Sequence, residues 1–243
     1  MSKRNRATDR TSRAAAAVRQ QQREEARRRN LMIGGVILVL LVAIVGGFLI
    51  VRSQDTTTAV TAPSTGSKYG VTVGPATAPH TVVIYEDFLC PFCGELEATT
   101  RDDLARLAAE GKVRVEYRPF VLLSNLGDYS ARSAGAFSVV LDTSGPTVAK
   151  KFHDLLYENQ PEEKGPFPDN AALLKLAVQA GAQESAVKSA IEGDDGSAWA
   201  TRATQAASDA GVQSTPTVLL DGKVFQNGRT VQELGQNLVK QVG

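Results

Sequence analysis

The chain has 243 residues, a formal net charge of +1, 42% hydrophobic residues and two cysteines. That hydrophobic share supports a packed core and excludes wholesale disorder, while two cysteines exclude both a disulfide-dense scaffold and a four-cysteine zinc site. The small net charge hides an asymmetry: residues 1–30 carry +7, Arg52 adds one more and residues 53–243 carry −7, so nucleic acid is not an expected partner of the acidic body.

The first expected element is a membrane anchor. Leu31–Val51 is a run of 21 residues without a charge. As a helix it crosses a hydrocarbon core of roughly 30 Å in contact with lipid. Arg27-Arg28-Arg29 on one side and Arg52 on the other predict a cytoplasmic basic tail over 1–30 and an extracytoplasmic body. The run exceeds the core of about 7–15 residues of a cleaved signal peptide. Val60-Thr61-Ala62, the nearest small-residue site, is followed by Pro63, so an uncleaved signal anchor over 31–51 is expected. Ala14–Arg29 reads as a basic helix that sets topology, with anionic lipid as the alternative partner. Residues 52–67, rich in Thr, Ser, Pro and Ala, read as a flexible linker. The globular part is 68–243.

Within it, Thr81–Tyr85 is a short apolar run and reads as a buried central strand. A helix with Leu96, Leu104, Leu107 and Ala108 as its stripe follows and ends near Gly111. Lys112–Tyr117 alternates as a second strand. Helices are expected over Tyr129–Leu141, Pro146–Asn159, Asn170–Ala180 (closed by Gly181), Glu184–Ile191 and Ala198–Ala210. Thr217–Leu220 and Lys223–Phe225 form a hairpin about Asp221-Gly222. Thr230–Glu233 is a capping box opening a last helix with Leu234 and Leu238 inward. The class is α/β.

Both cysteines lie in Cys90-Pro91-Phe92-Cys93, where the first strand hands over to its helix. A helix N-terminus offers unpaired N–H groups and a positive dipole end, which favour a thiolate at the outer residue, Cys90. Cys93 lies one turn in and is shielded. Pro91 stands where its missing N–H costs nothing. Such a pair supports exchange through a mixed disulfide at Cys90, resolved by Cys93. A structural disulfide with so short a loop constrains the unfolded chain little. His80 and His153 have no ligand spacing, so neither a metal nor another cofactor is expected. His153, beside Phe152, reads as a packing or hydrogen-bonding histidine, His80 as a surface one, and Trp199 as core.

Tyr85-Glu-Asp-Phe-Leu-Cys90-Pro-Phe-Cys93 resembles the active-site segment of DsbA-type thiol–disulfide oxidoreductases. Lys151–Pro161 is similar to a helix end common in that family, and Gly211–Thr217 to its cis-proline loop. The resemblance covers about 68–243 and implies a thioredoxin-like fold with an inserted helical domain, about 126–211, behind one N-terminal transmembrane helix. It implies a cis peptide bond at Thr215-Pro216, a loop that pairs with a substrate peptide in strand-like fashion. It also implies exported proteins with cysteines as substrates and a quinone-linked, DsbB- or VKOR-like membrane protein as reoxidant.

Two positions depart from the family. Many members carry a buried Glu six residues before the first cysteine as a proton relay for the inner thiol, and here that position is Ile84. Glu86 and Asp87 are the candidates to replace it, the alternative being solvated acids at a strand end. Thr215 stands where the best-known oxidases have valine, so the direction of electron flow stays open. The leading expectation is a membrane-anchored, extracytoplasmic dithiol oxidase. The alternatives are a reductase or isomerase of the same fold and a non-catalytic peptide-binding module.

Overall fold

The computed structural model describes residues 68–243; the expected tail, span and linker lie outside the described residues. Among the described residues no helix is long and apolar enough to cross a membrane.

Five strands form one sheet. They are β1 (Val71–Val73), β2 (His80–Glu86), β3 (Val113–Pro119), β4 (Thr217–Leu220) and β5 (Lys223–Val224), in the order β1-β3-β2-β4-β5. β2 and β3 run parallel, with Ile84 beside Tyr117, and the outer pairings are antiparallel. The helix α1 (Pro91–Ala109) links β2 to β3. Between β3 and β4 stand four helices: α2 (Tyr129–Glu158), α3 (Asn170–Ala180), α4 (Glu184–Glu192) and α5 (Ser197–Asp209). The helix α6 (Val231–Val242) ends the chain and packs on α1. This is the thioredoxin-like α/β arrangement that the resemblance implies. β1 has no counterpart in the sequence reading, because three residues are too few to show an alternation.

β2 is buried on both faces, with side chains alternating between two clusters. Val82 and Ile84 join the larger one with Leu96, Leu104 and Leu107 of α1 and Phe137 and Phe152 of α2. Val83 and Tyr85 join the smaller one with Phe120, Ala207 and Leu219. Each such large apolar side chain, taken out of water, stabilises the fold by roughly 1.5–3 kcal/mol. Trp199 is buried against Phe137 and Tyr69.

Two expected helices meet as one element in α2. The helical path continues through 142–144 and breaks only at Gly145, whose φ of 82° and ψ of 173° are non-helical. Pro146, which has no N–H to donate into the preceding turn, restarts it. At α3, the Asp169 carboxylate accepts from Ala172 N at 2.9 Å, and Gly181 closes the helix at φ 112°. At α6, Thr230 accepts from Glu233 N at 3.1 Å, but the Glu233 carboxylate reaches Arg229 N at 2.8 Å instead of the N–H of Thr230.

What the fold does for function follows from register. Glu86 ends β2 beside Pro119, the last residue of β3, and Phe120 N donates to Glu86 O at 2.9 Å. The helical block therefore leaves the sheet at the same end of the parallel pair at which β2 delivers the cysteine turn.

Candidate active site

β2 gives way to a tight turn in which Cys90 N donates to Asp87 O at 2.9 Å. Cys90 is the N-cap of α1 with extended φ and ψ, and Pro91 opens the helix. Cys93 N and Gly94 N donate to Cys90 O at 3.0 and 3.2 Å. The position that usually carries a capping oxygen thus carries a thiol. Both cysteines are free thiols.

The two sulfurs are driven apart in acidity. Cys90 is lowered to about 6, first by the hydrogen bond from the Cys93 thiol, against the opposing effect of burial, then by Thr215 and by the backbone N–H groups of Cys93 and Phe92. Burial pushes Cys93 up, and the Cys90 and Glu86 charges push it further. Cys90 was expected to be the outer residue, yet only 4% of it is accessible, against 57% of Phe92 beside it.

Thr215-Pro216 is a cis peptide bond. It lies against the cysteine turn, with the Cys90 thiol donating to Thr215 O at 3.6 Å. The Thr215 hydroxyl is buried without a hydrogen-bond partner, which leaves it free to donate to the thiolate. Phe92 also lines a groove of about 520 Å³ with Glu95, Gln226, Arg229, Val231 and Leu234.

Glu86 and Asp87 are not solvated acids: both are buried, at 1% and 0% exposure. The reason is that the helical block covers the end of β2. Asp87 accepts from Leu89 N (2.9 Å), the Ser130 hydroxyl (2.7 Å), Leu122 N (2.8 Å) and Leu123 N (2.9 Å). A carboxylate with four donors on it is a staple between turn, loop and α2. Glu86 is different. It accepts from His153 Nε2 at 2.6 Å. Burial raises its pKa against the pull of the imidazolium.

His153 is fully buried, among the rings of Phe88, Tyr117 and Tyr157 at centroid distances of 5.7, 4.8 and 5.1 Å. Burial opposes its charge, but Glu86 and Glu97 outweigh burial and hold it at about 9. Its other nitrogen bonds Asp154 at 2.9 Å, and Lys150 reaches the same carboxylate. His80, expected at the surface, is half-buried and bonds Asp221 at 3.0 Å.

Ligand atoms of Glu86, Glu97 and His153 lie within 4.8 Å of one another, as metal ligands could. Cations of the protein already occupy their surroundings. Arg101 bonds Glu97 at 3.3 Å, Lys150 faces Glu86, and the imidazolium keeps its proton. A divalent ion would have to displace that proton beside two further positive charges, so the cluster is an ion-pair network.

Sequence reasoning missed two contributors from the end of α2: His153 as the partner of Glu86, and Gln160, whose Nε2 donates to Phe88 O at 3.0 Å and Cys90 O at 2.9 Å. The only signal was the similarity of Lys151–Pro161 to a helix end of the resembled family.

Comparison with known proteins agrees with this geometry. The Thioredoxin_4 family model, described as thioredoxin, matches residues 66–240. The oxidised DsbA of Mycobacterium tuberculosis is similar at 29% identity, covering 71% of this chain and 92% of that one, with a TM-score of 0.58. The reduced disulfide bond oxidoreductase DsbG of the same organism is similar at 28% identity, covering 77% and 92%, with a TM-score of 0.61. The serine/threonine-protein kinase PknE of M. tuberculosis is 29% identical over 166 residues, which are 65% of this chain and 29% of the kinase. The chain therefore spans less than a third of that relative's length.

Proposed function

We propose that this chain, which belongs to the thioredoxin family, is a DsbA-type thiol–disulfide oxidoreductase that oxidises exported proteins. The observation that carries the reading is the Cys90–Cys93 pair: one thiol lowered to about 6 at a helix N-terminus, the other buried and raised. Likeness to two mycobacterial proteins named as DsbA and DsbG supports it.

In the reaction, a substrate thiolate attacks Cys90 Sγ of the Cys90–Cys93 disulfide. The S–S bond breaks, and Cys93 leaves as a thiolate that takes up a proton, as its raised pKa demands. A second substrate thiolate then attacks the substrate sulfur of the mixed disulfide and expels Cys90. The substrate loses two electrons and the enzyme becomes a dithiol. A low-pKa sulfur is the better leaving group, so a stabilised Cys90 thiolate drives the second step toward oxidised substrate. Glu86, with its raised pKa and its charge felt by Cys93, is the group suited to supply and recover the inner thiol's proton. His153 and Asp154 connect it toward the surface.

Thr215-Pro216 and the groove beside Phe92 are where a substrate peptide would lie. Reoxidation falls to a quinone-linked, DsbB- or VKOR-like membrane protein. Residues 31–51 anchor the chain with its N-terminus in the cytoplasm and the thiols outside, where disulfides persist. Oxidative refolding of a reduced substrate protein tests the reading: Cys90→Ser is expected to abolish it, and full activity in that variant overturns it.

A second reading, an isomerase or reductase, is favoured by Thr215 and the likeness to DsbG. Equilibration with glutathione separates the two. A potential near −120 mV marks an oxidant, as for the well-known DsbA, and one near −270 mV a reductant, as for thioredoxin.

A further inference from the structure

The end of α2 and the turn that follows it face the cysteine turn. His153 and Tyr157, at i and i+4, share one face of α2, and Gln160 stands just past the C-cap residue Asn159. Each meets a successive part of the segment that runs from β2 into α1. His153 bonds Glu86, the Tyr157 hydroxyl donates to Asp87 O at 3.3 Å, and Gln160 donates to Phe88 O and Cys90 O. The first contact concerns a proton and the second a single carbonyl. The third is unlike them, since one carboxamide nitrogen uses both its N–H groups on two carbonyls that flank the turn.

We propose that Gln160 is the positioning residue for Cys90, holding the Phe88–Cys90 turn so that the N–H groups opening α1 face the Cys90 sulfur. The inference deepens the oxidoreductase reading and rests on it. Cys90 O already receives Cys93 N and Gly94 N. A third donor on it, shared with Phe88 O, ties the carbonyl side of the N-cap to the turn that closes α2, where Gln160 N itself donates to Tyr157 O at 3.3 Å. With its carbonyl fixed, the N-cap peptide cannot rotate and carry the thiol away from the N–H groups of Phe92 and Cys93.

Gly94 has a matching role. A Cβ there would stand 2.4 Å from Gln160 Oε1. The absence of a side chain at the fourth residue of α1 is what lets the carboxamide in. The end of α2 with its following turn and the cysteine turn are thus halves of one hydrogen-bonded unit.

Two substitutions in the full-length chain test this from opposite sides. Gln160→Met keeps length and volume but has no N–H. Gly94→Ala keeps Gln160 and fills the space its carboxamide needs, while improving helix propensity. The Cys90 thiolate is titrated by its ultraviolet absorbance and by the pH dependence of alkylation, with urea unfolding alongside. Each variant is expected to move the midpoint upward by about one unit, a roughly tenfold loss of thiolate at acidic pH. The double variant should move it no further than either single one, because both remove the same contact. Unmoved midpoints in the folded variants, or shifts that add in the double, overturn the inference. So does a Gln160→Met chain that only loses stability. If Gln160→Met does not fold, Gly94→Ala carries the test alone. A wild-type Cys90 that titrates as an ordinary thiol near 8.5 sinks the oxidoreductase reading itself; a wild-type midpoint near 6 with unmoved variants sinks only the role of Gln160.

Discussion

The strand-and-helix part of the molecule and the helical block inserted into it divide the site between them. The first supplies the sulfurs, from a turn whose chemistry is local. The second supplies what lies behind them: Ser130 on Asp87, His153 on Glu86, Gln160 on the carbonyl of Cys90. These partners stand 43, 67 and 70 residues apart in sequence. A short motif places the reactive atoms and supplies most of what lowers Cys90, but the burial that raises Cys93 comes from what the fold lays over it. The comparison therefore makes a demand: changes in the block or its contacts must reach the thiols or their support, and with unequal force.

The largest effect is expected at Asp87, the staple between the two parts. Asp87→Ala strips the acceptor from three backbone N–H groups and the Ser130 hydroxyl, two of these bonds buried and two part-buried. Leaving such donors unsatisfied costs on the order of 4 kcal/mol. Urea unfolding should show the loss as a lower midpoint at unchanged slope. A variant as stable as the parent would mean that the two parts do not depend on this contact, and the division drawn above would fail.

His153→Gln comes next. Glutamine can bond Glu86 and Asp154 but brings no charge, and breaking one side of a buried pair costs about 3 kcal/mol near neutrality. The pH dependence is more telling. His153 is held at about 9 in the fold against 6.5 for a free histidine. A raised cationic pKa stabilises the fold fully below 6.5, and the contribution fades as pH climbs toward 9. Glu86, raised above 4.5, adds a decline that begins on the acid side of that window. Glu97, Asp154, Lys150 and Arg101 face the same pair. Parent stability should thus fall between neutral and alkaline pH, and the fall should flatten in His153→Gln. An identical alkaline limb in both chains would remove the imidazolium from the account.

How much of this was legible in the sequence divides along the same line. Cys90 and Cys93 were legible because a C-x-x-C at a strand-to-helix junction needs only its neighbours to state its chemistry. Gly181 was legible as a helix stop because its left-handed φ is a local demand. Glu86 and Asp87 were legible as candidates but not in their roles. Two adjacent acids read alike in sequence, and only the loop at Leu122–Leu123 and the face of α2 make one a staple and the other the buried partner of His153. Gln160 was invisible as a functional residue, since nothing at a helix end announces which carbonyl its amide will meet. β1 was too short to carry a pattern at all.

The smallest predicted effect sharpens the comparison from within the helical block. Asp169 caps α3 by accepting one hydrogen bond from Ala172 N, and α3 packs on α2 and α4. Asp169→Ala should cost about 1 kcal/mol of stability, the usual worth of such a cap. The Cys90 titration should stay where it is. If the midpoint moved as far as it is expected to in Gln160→Met, any loosening of the block would suffice to detune the thiol. Stability lost at Asp169 with the midpoint unmoved would instead locate the tuning in the end of α2 and the turn after it, where His153, Tyr157 and Gln160 stand.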